Sequence, residues 1–336
     1  MLVRNGGRRD RRIKTINGEI CIKRSTLRVE QGIVDGDETI KELIPLDEQL
    51  KIDTLPFKMT KLLMTEIAFW SQSKGSFKAV EKIVQKLYQV QVSDDQIRKV
   101  SYYIGKQVFE AEKRRAAAAY ESRGGRTGSP DKEGVLYILI DRETISTRDI
   151  SLGIVFNSTG LRMRKNGVVY NIVEKEYVAH VGDRGEFKKH LFECALRNGY
   201  GRYTQTMVLS DGSPWISACA DELFPDASQG TTRGGARNLA FYFKEHKKIV
   251  QKRCKKAGAM WDEAHLQYML TLMVKEKSGL WDEAVRDLVL GNGGAAKQRP
   301  PGNTSRCPLP EYRPGARTRE YPHGRIPGRW WDPAWR

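Results

Sequence analysis

The chain has 336 residues, room for about two domains at roughly 150 residues each. Its 58 lysines and arginines outweigh 41 acids, and the net charge of +17 points to a polyanionic partner, nucleic acid before an anionic membrane surface. No apolar run approaches the ~18 residues of a membrane span and the start lacks an apolar signal core, so a cytoplasmic protein with no membrane partner is expected.

Met1 to Arg12 is rich in glycine and arginine and reads as an unpacked basic arm. From Ile13 to Ile22 apolar and polar residues alternate around Asn17-Gly18, a β-hairpin signal, so residues 1–57 are expected to hold the arm and a small β unit. After Pro56 the apolar spacing changes to three and four, which predicts helices over 58–122. One carries Phe77, Val80, Ile83, Val84 and Leu87, and Ser93-Asp94-Asp95-Gln96 opens the next with a capping-box-like Ser93/Gln96 pair. Two helices across a short turn resemble a helix-turn-helix, which would put Gln96, Arg98, Lys99 and Tyr102 on an exposed face able to enter a DNA groove. An ordinary helical hairpin fits the same pattern.

Ala116 to Pro130 begins with four alanines, ends in a Gly/Arg/Ser run and reads as a linker, centred on 123–133. The pattern then predicts strands at 134–141, 150–157 and 168–181, a helix at 183–198, a strand at 206–211 and a helix at 213–223, a mixed α/β unit over 134–229. Two of its apolar runs end in aspartate, Val135 to Asp141 and Thr206 to Asp211. Strands lying side by side would bring the two carboxylates together, and a hard divalent cation such as Mg²⁺ takes oxygen ligands of this kind. Aspartates that merely cap turns give the same pattern.

Residues 230–290 read as a basic helical region, with Lys244, Lys247, Lys248, Lys252, Arg253, Lys255 and Lys256 crowded before Trp261, itself either core or a stacking residue. Residues 291–336 are rich in proline and glycine without apolar periodicity, and disorder is expected there. The scattered Cys21, Cys194, Cys219, Cys254 and Cys307 form no Cys-x-x-Cys pair, which argues against structural zinc. His180, His190 and His246 form no metal-spaced pair either.

Several blocks resemble bacterial insertion-sequence transposases. They are Lys175 to Gly182, Phe187 to Gly201 with its Asn198-Gly199-Tyr200-Gly201, Leu209 to Ile216, Glu222 to Ala227, Pro45 to Glu48 and Gln251 to Gly258. The resemblance implies a ribonuclease-H-like catalytic domain with an Asp-Asp-Glu triad around two ions of Mg²⁺ or Mn²⁺. Asp141 would match the first-strand aspartate, Asp211 the one ending the fourth strand, and Glu245 the third acid. Arg98, Lys99, Lys247, Lys248, Lys252, Arg253, Lys255 and Lys256 would contact the DNA of terminal repeats and target, in a homo-oligomer. This chain departs from the pattern in having Arg142 beside Asp141, where it would compete with metal. The match also breaks after Gln229, so a fifth strand is expected to be missing and the sheet incomplete. A DNA transposase, a non-catalytic DNA-binding remnant left by an internal deletion, and a nuclease of RNA–DNA hybrids all follow from these features.

Overall fold

The computed structural model describes residues 2–34, 37–52, 54–73, 76–125, 130–145, 148–163, 170–172, 174–231, 248, 251 and 262–284. The hairpin forms where the sequence signals it. Strands β1 (Leu2–Thr15) and β2 (Gly18–Val34) pair antiparallel and close at Thr15 opposite Gly18, whose φ of 109° suits glycine. β3 (Asp37–Leu43) joins the far side of β2. The expected basic arm is therefore strand from Leu2 onward, paired as far as Leu2 opposite Glu30 with one bulge between Asn5 and Gly7. Its charge misleads because part of it is neutralised internally. Arg11 and Arg24 converge on Asp47, buried on the short helix α1 (Pro45–Leu50), and Arg11 also donates to the Ile52 carbonyl at 3.1 Å.

Three helices follow, α2 (Lys61–Ser73), α3 (Phe77–Tyr88) and α4 (Asp94–Glu121). Ser76 and Ser93 cap the latter two by accepting the Ala79 and Gln96 N–H groups at 3.2 and 3.3 Å. The box at Ser93 is half formed, because the Gln96 side-chain oxygen accepts from Lys14 Nζ at 3.4 Å instead. Ala116 to Ala119, expected in the linker, extend α4, since alanine is the strongest helix former and nothing there breaks the turn. Leu63, Ile67, Val80, Val84, Ile97 and Ile104 share one apolar cluster.

The second half is a mixed sheet. β4 (Lys132–Ile145), β5 (Arg148–Asn157), β8 (Glu176–Val181), β9 (Tyr203–Ser210) and β10 (Ser228–Thr231) lie in the order β10-β9-β4-β5-β8. β5 runs antiparallel to both its neighbours, whereas β4, β9 and β10 run parallel. The strand predicted at 168–181 is two pieces. β7 (Tyr170–Ile172) pairs with β6 (Leu161–Met163) in a separate hairpin, and only β8 enters the sheet. The fifth strand expected to be missing is present as β10, a polar Ser-Gln-Gly-Thr segment with no apolar signature of its own.

Helices α5 (Arg184–Arg197) and α6 (Pro214–Leu223) cover one face of the sheet through Phe187, Leu191, Ile216 and Leu223. Helix α7 (Glu263–Lys277) covers the other through Leu266, Leu270, Met273 and Val274. Its opposite side places Met269 and Leu272 in the cluster of α2, α3 and α4, so α7 is buried on two sides. Gln267 and Ser278 close the open edge of β8: the Gln267 oxygen accepts the Val181 N–H at 2.8 Å, its amide donates to the Ala179 carbonyl at 3.2 Å, and Ser278 accepts the Tyr177 N–H at 3.0 Å. Among the described residues no helix is long and apolar enough to cross a membrane.

Candidate functional site

β4 and β9 are adjacent and parallel, with Leu139 opposite Leu209 as their last paired position. Asp141 and Asp211 each lie two residues further along, so the register delivers both carboxylates to the same end of the sheet. Leu139 and Leu209 belong to the apolar cluster under α7, and the period of two along a strand assigns Asp141 to that same face.

The two aspartates differ in setting. Asp141 is buried within β4, and its Oδ1 accepts the Arg142 N–H at 2.8 Å. Asp211 is exposed just past β9, where its Oδ1 accepts the Ser213 N–H at 2.9 Å across Gly212, at φ 90°, and leads the chain into Pro214 and α6. Asp211 thus caps its turn, as a turn-forming aspartate should, and still stands level with Asp141.

Arg142 does not contest this place. One residue on from Asp141, it turns to the opposite face and ion-pairs with Asp149 of β5, which also accepts the Thr144 hydroxyl at 2.9 Å. The Thr144 hydrogen bond and the Arg142 guanidinium together hold the Asp149 carboxyl below its ordinary range. The strand period therefore resolves the competition expected from the Asp-Arg dipeptide.

Glu245, the expected third acid, lies outside the described residues. Among the described residues no three His, Cys, Asp or Glu side chains are arranged to hold a metal ion. Of the predicted phosphate contacts before Trp261, Lys247, Lys252, Arg253, Lys255 and Lys256 also lie outside them, while Lys248 is helical and exposed.

On α4, Arg98 and Lys99 both ion-pair with Asp95, Lys99 at 2.7 Å. The Lys99 hydrogen bond, and after it that of Arg98, holds Asp95 below the ordinary carboxylate range. Tyr102, expected on the exposed face, is half covered by α7, with its ring 4.2 Å from that of His265 at a tilt of 39°. Burial pushes its hydroxyl up to about 12. Lys99, Tyr102, Tyr103 and Lys106 share one helical stripe, at spacings of three, four and seven, and they line a groove of about 430 Å³ with Phe57, Ala264, His265 and Tyr268. Lys99 and Tyr102 belong to the face expected to enter a groove, and Tyr103 and Lys106 extend it. The stripe itself was legible, but its closure by α7 was not.

No protein-family model matches the chain, and no curated protein matches it either.

Proposed function

We propose that this protein is a DNA transposase by descent, catalysing metal-dependent strand cleavage and transfer on a ribonuclease-H-like sheet. The observation that carries the reading is the level placement of Asp141, within β4, and Asp211, just past the end of the neighbouring parallel strand β9. Counted along the five-stranded sheet in chain order, Asp141 stands on the first strand and Asp211 ends the fourth. These are the two places that the resemblance to insertion-sequence transposases assigns to triad aspartates.

Paired carboxylate oxygens fit a hard divalent cation, and Asp141 and Asp211 are the residues that would hold Mg²⁺ or Mn²⁺. Such an ion supplies a more acidic water or 3′-hydroxyl and stabilises the leaving oxygen of phosphoryl transfer. The chain's own contribution is preorganisation. The sheet fixes Asp141, and the Ser213 N–H fixes the Asp211 carboxylate before any ligand arrives.

What favours the second reading, a non-catalytic DNA-binding remnant, is the break in the transposase-like match after Gln229, ahead of the place of the third acid. Divalent metal separates the two. Labelled element-end DNA incubated with Mn²⁺ is nicked by the wild type and not by Asp211→Asn, if the first reading holds. Asparagine keeps an oxygen for the Ser213 N–H, so the variant removes charge without removing the cap. Salt-sensitive DNA binding without nicking in either protein identifies the remnant.

A further inference from the structure

We propose that the groove between α4 and α7 is a stacking site for an unpaired base of a DNA strand, with Tyr102 and Tyr103 as its platform and Lys99 and Lys106 for the flanking phosphates. This rests on the reading of the chain as a DNA-acting protein and adds a site that the aspartate pair does not require.

Four aromatic side chains, Phe57, Tyr102, Tyr103 and Tyr268, line the groove together with His265. They are arranged as a cradle rather than a closed core. Phe57 meets Tyr103 edge to face at 5.8 Å and 81°, and His265 lies against Tyr102 on one side and edge-on to Tyr268 at 6.2 Å on the other. Tyr103 remains 36% exposed, which leaves ring surface open to a ligand. The volume of about 430 Å³ falls in the range of small-molecule sites.

The backbone that presents Phe57 is strained. Phe57 and Lys58 both occupy the left-handed region, at φ 58° and 53°, although neither is glycine. Two consecutive side-chain-bearing residues in that region cost free energy, and such strain concentrates at ligand clamps.

Charge selects the occupant. Lys99 and Lys106 stand at either end of the aromatic pair, two helical turns apart, or about 10 Å along the axis. Both are exposed. Lys99 shares Asp95 with Arg98, so a phosphate at Lys99 would exchange for that carboxylate, and Asp262 binds His265 Nδ1 at 2.8 Å. Aromatic faces between cations suit a nucleobase between phosphates, and every base offers a π face. A paired base inside a duplex cannot present that face, so the site reads single-stranded or unstacked DNA.

The test is fluorescence anisotropy of the full chain with a labelled dT15 strand and, in parallel, a blunt random duplex at one fixed salt concentration. Tyr103→Leu is the first variant, because this ring is largely outside the core and far-UV circular dichroism can verify its fold. Loss of one stacked base should weaken dT15 binding about 5- to 150-fold and leave duplex affinity within twofold. Tyr103→Phe should restore dT15 binding, because the ring face and not the hydroxyl is used. Lys99→Ala with Lys106→Ala should lower the salt dependence of dT15 binding. Unchanged dT15 affinity in Tyr103→Leu, or equal losses for strand and duplex, overturns the stacking site while leaving the DNA reading intact. A proline-rich peptide that binds the wild type and is lost in Tyr103→Leu, with dT15 indifferent to the substitution, also overturns it. Binding of neither DNA by the wild type refutes both readings together.

Discussion

His180 and His190 show how burial sets chemistry at single residues. His180 on β8 and His190 on α5 stack 5.7 Å apart, and the Phe109 ring of α4 lies 6.1 and 5.8 Å from them. Among the described residues, His180 Nδ1 and His190 Nε2 find no hydrogen-bond partner, although both are buried. Burial first, then the neighbouring His190, pushes the His180 pKa from 6.5 down to about 4, against a weaker upward pull from Glu186 and Asp183. His190 is lowered too, again mainly by burial. Beside them, Glu112 of α4 ion-pairs with the buried Lys275 of α7; burial alone would raise this carboxyl, but Lys275 outweighs it and the pKa falls below its ordinary value.

The sign of the pH effect follows. The unfolded chain takes up a proton on His180 as pH drops through 6.5, while the folded chain resists until about 4. Stability is therefore full above 6.5 and declines as pH falls toward 4. Between pH 7 and pH 5 the linkage amounts to ~2 kcal/mol for this group. Urea unfolding at the two pH values should show a loss of at least that size, shrinking by ~2 kcal/mol in His180→Phe. A pH dependence untouched by the substitution would refute the assignment.

At the scale of elements, α4 and α7 cross backbone against backbone. A Cβ on Gly105 would lie 2.7 Å from the Tyr268 carbonyl oxygen and 2.9 Å from its Cβ, so the two backbones meet where glycine leaves room. On an unobstructed helix Gly→Ala stabilises by about 1 kcal/mol. Here Gly105→Ala should destabilise by ~1–3 kcal/mol, because backbone rather than a mobile side-chain end must give way. Thermal denaturation decides between the two signs.

Elements with a strong local signal were legible in the sequence. The Asn17-Gly18 hairpin, the serine cap at Ser93, and the run ending in Asp211 all fold where their residues indicate. Elements whose identity depends on distant partners were not. The arginine-rich β1 reads as a solvated arm until Asp47 is brought beneath it, and β10 is a strand only because β9 offers an edge. Glu263–Lys277 lies in a stretch read as basic and helical, and the helix is right, but between two cores its apolar surroundings decide its role. The two apolar runs and the aspartates that follow them were legible because such a run is local, whereas the adjacency of β4 and β9 is a long-range contact. The aromatic groove needs α7 against α4, a long-range contact that no window of sequence contains.

At the scale of the molecule, α7 makes one cooperative body of what the sequence divides into a helical region and a sheet. The sheet face formed by Leu139, Ile150, Leu152 and Ile154 is covered by Leu266, Leu270 and Met273, while Met269 and Leu272 on the same helix complete the cluster of α2, α3 and α4. Neither cluster is closed without it. The edge of β8 adds a second dependence, since the Val181 N–H and the Ala179 carbonyl are satisfied by Gln267. A fragment spanning 130–231 keeps all five strands of the sheet with α5 and α6, yet it leaves an apolar face and a strand edge open to water. It should therefore lack a cooperative urea transition, bind a hydrophobic dye and self-associate, whereas the intact chain unfolds with helical and tertiary signals coinciding. Circular dichroism and tryptophan fluorescence followed through the same titration test this. Two separated transitions in the intact chain would mean that α7 belongs to one core and merely touches the other.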